Sequence, residues 1–333
     1  MTALSLPVLI GLIVVALAFD LLNGLHDTAN SIATMVSTRM LRPRYAVAWA
    51  AFFNFIAFLL FGVHVARTVG VGLIATDAID AHVIFGALMG AISWNLITWW
   101  AGIPSSSSHA LIGGLVGAGV TKAGLASIVW PGLLTTGVFI VLSPLLGFFL
   151  ALFLVLAVSW AFVRANPRTV ESTFQWLQFI AASAISLGHG GNDAQKTMGI
   201  IAVLLFSQGL LGADFYVPFW VVITCQAAMG LGTLIGGWRI VNTVGAKITR
   251  LTPVQGCCAS AAGAIMLFAA TYLGIPVSTT HTVTGSVIGV GAARKLSAVR
   301  WNIATNIVIA WIVTLPASAL MAALFYLASG LMP

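Results

Sequence analysis

The stretch Gly24-Leu25-His26-Asp27-Thr28-Ala29-Asn30 puts a carboxylate, an imidazole and an amide inside a run that is otherwise lipid-soluble. A related set returns once, as Gly190-Gly191-Asn192-Asp193-Ala194-Gln195-Lys196. A carboxylate at membrane depth costs roughly 2.5–3.5 kcal/mol on even the most lenient insertion scale, so Asp27 and Asp193 in matching glycine-rich settings call for a function. Two further stretches, Pro104-Ser105-Ser106-Ser107-Ser108-His109 and Pro276-Val277-Ser278-Thr279-Thr280-His281, carry hydroxyls and no formal charge. Proline suits a helix start, and the hydroxyls of Ser105, Ser106, Ser107 and Ser108 and of Ser278, Thr279 and Thr280 can cap N–H groups or donate to a ligand. A helix amino terminus offers free N–H groups and a positive dipole end to an anion, so two of them facing each other would cage a tetrahedral oxyanion. Asp27 and Asp193 would repel that anion, and their natural partner is a coupling cation. A half-occupied site would hold unpaired charge at membrane depth, which gives coupling a physical basis.

These residues need a scaffold, and the composition defines its class. The chain has 333 residues, 60% of them hydrophobic and 6% charged, with a mean hydropathy of +1.08. Soluble domains carry about 25% charged residues. The apolar runs are long and do not alternate, which favours helices over a barrel. The expected fold is therefore an all-α polytopic membrane protein. The first apolar run lacks a basic leader and a small-residue cleavage site and reads as a first span. Cys225, Cys257 and Cys258 fall in apolar segments and give neither a disulfide framework nor a metal site. The net charge of +7 is dispersed over short loops, which points to membrane topology and not to nucleic acid.

Spanning runs fall at about 5–22, 45–63, 82–100, 131–163, 174–187, 216–236, 254–273 and 301–327, with Pro144 expected to kink or tilt the fourth. Shifting the chain against itself by 166 to 172 residues superimposes its halves, weakly in the spans and sharply in the motifs. Asp27 falls on Asp193, Asn30 on Lys196, His26 on Asn192 and Asn23 on His189. The basic loop switches halves at each step: Arg39, Arg42 and Arg44 oppose Asp214; Arg67 with Asp77 and Asp80 opposes Arg239, Lys247 and Arg250; Lys122 opposes Arg294, Lys295 and Arg300. By the positive-inside rule the repeats are inverted. The expectation is two inverted-topology repeats of about five crossings each, residues 1–163 and 173–333, joined by a cytoplasmic linker at 164–172, with both termini outside. Residues 5–38 and 173–206 are too long for one crossing, so broken or re-entrant helices are expected at the two glycine-rich motifs and at the two Pro-Ser/Thr motifs. Gly113, Gly114, Gly117 and Gly119, with Gly285, Gly289 and Gly291, let the helices after those motifs pack closely.

Broken helices between inverted repeats are where secondary transporters bind substrate. The candidate substrate residues are Asp27, Asn30, Ser105 to Ser108, Asn192, Asp193, Lys196, Ser278, Thr279 and Thr280. Asp27 and Asp193 double as coupling-ion residues, and His26, His109, His189 and His281 stand beside them in proton-relay or packing roles. Phosphate is favoured over sulfate because a protonated phosphate can donate a hydrogen bond to a carboxylate, and a site built around such a bond rejects the analogue lacking it. Asp20 reads as a helix-end or pairing residue, and His64 and His82 as flanks of an outer loop. Hydrolysis by Ser107 or Ser108 with His109 is disfavoured, since adjacent helical residues do not face each other and no Gly-x-Ser-x-Gly elbow is present. A passive channel suits buried aspartates in inverted halves less well than alternating access does.

The four motifs resemble those of the inorganic phosphate transporter family, the PiT-type permeases, whose Gly-x-Asn-Asp-x-x-Asn signature occurs once in each half. Gly24 to Asn30 and Gly190 to Lys196 match it, and the resemblance covers the whole chain. It implies a secondary transporter of inorganic phosphate with inverted repeats, a homodimer in the lipid bilayer working by alternating access, with no cofactor. His26 replaces the first Asn of the common signature, and Gln195-Lys196 replaces its second-half Ala-Asn. The chain also lacks the long cytoplasmic loop of eukaryotic relatives. This pattern is similar to the bacterial low-affinity branch of the inner membrane, which implies proton coupling and acceptance of metal–phosphate complexes. Sodium coupling and transport of sulfate or another oxyanion are the alternatives. Lys196 is expected to supply the positive charge that a second sodium would otherwise bring.

Overall fold

The computed structural model describes residues 4–237, 240–241, 248–249 and 251–330. Arg239, Lys247 and Arg250, which carry one step of the loop-charge comparison, lie outside the described residues. The described chain is helical: α1 (Leu6–Ser37), α2 (Pro43–Ile56), α3 (His64–Val71), α4 (Ala81–Ala101), α5 (Ser107–Ala123), α6 (Trp130–Ala161), α7 (Pro167–Ser207), α8 (Phe219–Ile235), α9 (Pro253–Tyr272), α10 (Thr279–Arg294) and α11 (Trp301–Ser329). Five of these are long and apolar enough to cross a membrane, and α2 extended to Leu59 makes a sixth span with α3 after a bend of 82°. Large apolar side chains such as Phe149, Phe153, Trp160 and Ile312 lie exposed on α6 and α11, a surface that suits lipid and not water. Of the expected linker 164–172, the residues from Pro167 onward already form the first turns of α7.

The elements recur in the order that the sequence repeat expects: α1 with α7, α2 with α8, α4–α5 with α9–α10, and α6 with α11. The chain breaks at both Pro-Ser/Thr motifs, as expected. Gly102 and Gly274 take positive φ values of 67° and 70° after α4 and α9, and an extended stretch leads into α5 and α10. The open ends of each helix pair return to one side. Lys122 at the end of α5 bonds to Asp80, which caps α4, at 2.7 Å, and the backbone links Ala75 to Ser127 and Leu73 to Val129. The second pair closes likewise through Arg300 N–H to the Ile248 carbonyl and the Thr249 hydroxyl to the Ala298 carbonyl. Each pair is thus a helical hairpin with its tip at the motif.

At the glycine-rich motifs the expectation of a break fails. Both α1, with 32 residues, and α7, with 41, run through as continuous helices. Their glycines serve close approach between helices. A Cβ on Gly24 would stand 2.2 Å from the Met229 carbonyl oxygen of α8, and one on Gly190 would stand 2.4 Å from that of Asn54 on α2. The run read as a single span at 45–63 breaks instead, because the Gln195 side chain of α7 accepts hydrogen bonds from Val65 N and Ala66 N and caps α3 at an angle to α2. Pro144 sits inside α6, which is unbroken around it.

The halves interlock. The glycine face of α5 packs on the last helix of the other half, Gly113 and Gly117 lying against the Leu315 and Ala319 carbonyls of α11. Gly285 and Gly289 of α10 lie in the same way against the Pro144 and Phe148 carbonyls of α6. Two apolar cores result. One gathers the first part of α1 with α3, α4, α5, α8 and the end of α7; the other gathers the end of α1 with α2, α6, α9, α10 and the middle of α7. The two glycine-rich motifs lie on α1 and α7, which both pass from one core to the other. Substitution at such a crossing is expected to cost about 1–3 kcal/mol by overpacking. Gly232→Ala, whose Cβ would stand 2.0 Å from the Leu21 carbonyl, should therefore lower the thermal unfolding midpoint in detergent, whereas Gly137→Ala, with nothing within 4 Å, should not. Equal midpoints would show that these crossings are looser than the fold implies.

Candidate functional site

The first turns of α5 and α10 meet the middles of α1 and α7 at one buried polar centre. Ser106 is the N-cap of α5 and accepts from His109 N at 3.2 Å, and Ser278 does the same for α10 with His281 N at 3.2 Å. These two hydroxyls are turned to their own helices, leaving the next two residues on each to face the aspartates. Asp27 accepts from Ser107 Oγ at 2.9 Å and from Thr280 Oγ1 at 3.2 Å. Asp193 accepts from Thr279 Oγ1 at 2.8 Å and faces Ser108 Oγ at 3.5 Å. In repeat terms Ser107 matches Thr279 and Ser108 matches Thr280, so each aspartate holds one hydroxyl from its own half and one from the other. All of these side chains are buried.

The remaining positions obey the same pairing with different chemistry. Asn30 donates to Thr280 Oγ1 at 2.9 Å and to Thr279 Oγ1 at 3.2 Å. Its counterpart Lys196 bonds to Ser108 Oγ, to the Asp193 carboxylate and, at 2.8 Å, to the Val277 carbonyl. His26 ties α1 to the first hairpin: Nδ1 lies 2.9 Å from Asp27 Oδ1, and Nε2 lies 3.2 Å from Thr98 Oγ1 and 3.4 Å from Ser105 Oγ. Its counterpart Asn192 ties α7 to the second hairpin, donating to Thr271 Oγ1 at 3.0 Å and accepting from Val277 N at 3.3 Å. The two substitutions in the signatures, His26 and Lys196, thus fill places that their repeat partners fill with amides.

His189 Nε2 lies 3.3 Å from Asp193 Oδ2, while Nδ1 faces Asn54 Oδ1 at 3.2 Å and Ser31 Oγ at 3.3 Å. Its counterpart Asn23 accepts from Ser107 Oγ. Asn23 was not among the sequence candidates, although its pairing with His189 and its place one turn before Asp27 were available signals. Thr98 and Thr271 were also missed, because single threonines in apolar helices carry no motif. His109 and His281 do not reach the aspartates. Their rings pack edge to face with centroids 4.3 Å apart, His281 stacks on Trp311, and the His109 ring has no hydrogen-bond partner. Of the candidate residues, the structure therefore gathers Asp27, Asn30, Ser107, Ser108, Asp193, Lys196, Thr279 and Thr280 around one point, flanked by His26 and His189. Ser105, Ser106, Asn192 and Ser278 hold the hairpin tips in place.

One ligand atom each from Asp27, His189 and Asp193 lies within 4.8 Å of the others, a set able to hold a cation. The centre as a whole offers hydroxyl and amide donors beside one ammonium, and carboxylates beside them.

Comparison with known proteins places the chain in a family. The model of the phosphate transporter family matches residues 23–322. The chain belongs to that family. A probable low-affinity inorganic phosphate transporter of Rhizobium meliloti is 70% identical over 98% of both chains, and one of Bacillus subtilis is 44% identical over 95% of both. A solved structure described as the sodium-dependent phosphate transporter superimposes with a TM-score of 0.91 at 26% identity, covering 98% of this chain and 100% of its own. The transporter is thus a multi-pass helical membrane protein and not an enzyme. The model match spans all four motifs and ends near the close of α11.

Removing one member of the buried ion pair should be far costlier than removing both. Lys196→Met leaves Asp193 an unpaired charge and is expected to destabilise the protein by about 3–5 kcal/mol. Lys196→Met with Asp193→Asn should recover most of that loss. Unfolding in detergent measures both, and additive losses would show that the pair is not coupled.

Proposed function

We propose that the protein is a secondary active symporter of inorganic phosphate, driven by protons, in which the two halves are inverted copies and the polar centre is the substrate and coupling site. The observation that carries this reading is the crossed pairing of Asp27 and Asp193 with hydroxyls from both hairpin tips. Each carboxylate senses both hairpins, so a cation or proton arriving at one aspartate changes the donors that either helix start can turn to an anion. Asn30, Ser107, Ser108, Thr279, Thr280 and the Lys196 ammonium supply donors for the phosphate oxygens, and a carboxylate accepts from a protonated phosphate. Lys196 supports proton over sodium coupling because it already binds the Asp193 carboxylate, the Ser108 hydroxyl and the Val277 carbonyl, oxygens that a metal cation would use.

A second reading is sodium coupling or carriage of a metal–phosphate complex. It is favoured by the converging atoms of Asp27, His189 and Asp193 and by the sodium-dependent structural relative. The setting we favour is a bacterial inner membrane with both termini outside and the protein as a homodimer.

Purified protein in liposomes separates the readings. A pH gradient, alkaline inside and without sodium, should drive uptake of labelled phosphate, and excess sulfate should not compete. Asp27→Asn and Asp193→Asn should each cut the rate by at least about tenfold, the loss expected when a buried charge partner is removed. Uptake that follows a sodium gradient and ignores pH would overturn proton coupling. Undiminished rates in both variants would overturn the assignment of the site.

A further inference from the structure

Asp20 sits on α1 two turns before Asp27. It does not end the helix or pair across it, as its sequence context suggested; it is wholly buried at mid-helix, and neither carboxylate oxygen has a hydrogen-bond partner. The groups that face it are few. Asn23 lies on α1 itself, Thr197 on α7 with Lys196 and Asp193 beyond it, and Cys225 on α8. Asn23 and Thr197 stand near enough to donate, yet neither closes a hydrogen bond of normal length and angle to the Asp20 carboxylate. The third helix against this part of α1 is α4, which has no ionisable side chain between Val83 and Ala101. Among the described residues no cation lies within ion-pair distance of Asp20, because the nearest ammonium, that of Lys196, is held by Asp193, Ser108 and the Val277 carbonyl. An ionised carboxylate with no closed hydrogen bond and no cation in a buried site is far less favourable than the neutral acid, which favours the protonated form here.

We propose that Asp20 is a proton-binding site of the transport cycle, separate from Asp27 and Asp193, that competes with the binding centre for the Lys196 ammonium. The inference rests on the proton-coupled reading above. While Lys196 is engaged at the centre, Asp20 has no cation and holds its proton on a carboxyl oxygen. When the anion has left and the centre opens, Lys196 turns toward Asp20. The O–H bond then breaks, the proton passes to water as hydronium, and the carboxylate pairs with the ammonium. The loaded protein therefore moves with one proton more than the empty one, which is the requirement for symport.

The test uses the whole protein in liposomes with the membrane potential clamped and labelled inorganic phosphate as the probe. One coupled proton and a gradient of one pH unit support about tenfold accumulation. Wild type should reach that level, and D20N should fall to no accumulation while still exchanging internal for external phosphate, a process that needs no net proton release. Infrared spectroscopy of the resting protein should show a protonated carboxylic acid band that disappears in D20N. If wild type fails to accumulate phosphate on a pH gradient, proton coupling itself is wrong, and the infrared band still reports whether Asp20 is protonated. If wild type and D20N accumulate alike, or the band is unchanged in D20N, the inference is overturned. Should D20N not fold, D20E, which keeps the acid, must retain both the band and the accumulation, and loss of either overturns the inference.

Discussion

Two carboxylates whose oxygens approach within 4.8 Å in a dry interior repel by about 3.5 kcal/mol even at an effective dielectric constant of 20. The rest of the centre answers that repulsion. Hydroxyl bonds inside a membrane protein contribute about 0.6 kcal/mol each, so the four from Ser107, Ser108, Thr279 and Thr280 do not offset it alone. One ammonium in direct contact with Asp193 does so on a comparable scale, which is why Lys196 is buried although long charged side chains rarely are. The fold supplies the frame: two unbroken helices carry the acids, and two hairpin tips bring the hydroxyls to them from opposite halves.

Near-symmetry in the backbone carries an asymmetry in the chemistry. Asn30 and Lys196 reach corresponding hydroxyls, but only one brings charge. His26 and Asn192 tie corresponding hairpins, but only the imidazole touches an aspartate. Each acid has an imidazole beside it, His26 at Asp27 and His189 at Asp193, but only Asp193 has an ammonium as well, so the two acids sit in different electrostatic surroundings.

Much of this was legible in the residues themselves. Composition fixed the solvent, and proline with the glycine before it marked both hairpin breaks. What could not be read was decided by distant partners. The length of 5–38 and 173–206 suggests a break at the two signatures, but their glycines lie against the Met229 and Asn54 carbonyls, 205 and 136 residues away in the chain, and there they allow helix contact without any break. The apolar run at 174–187 looked like the whole of a span because the polar turns after it, through Lys196, face protein and not lipid. The bend before α3 depends on Gln195, a residue that reads in sequence only as a departure from a signature. Asp20 looked like a helix-end residue because nothing local reveals that its helix continues for 17 residues to Ser37.

The interlocking of the halves has a consequence for biosynthesis. The glycine face of α5 has its partner in α11, a helix made much later, and α6 waits for α10. The first half can therefore enter the bilayer early but cannot finish packing until α10 and α11 have been made. During that interval Ser107 and Asp27 can already pair, whereas Ser108 still lacks Asp193 and Asp27 still lacks the Thr280 hydroxyl. The polar centre is complete only once α7 and α10 are both in place.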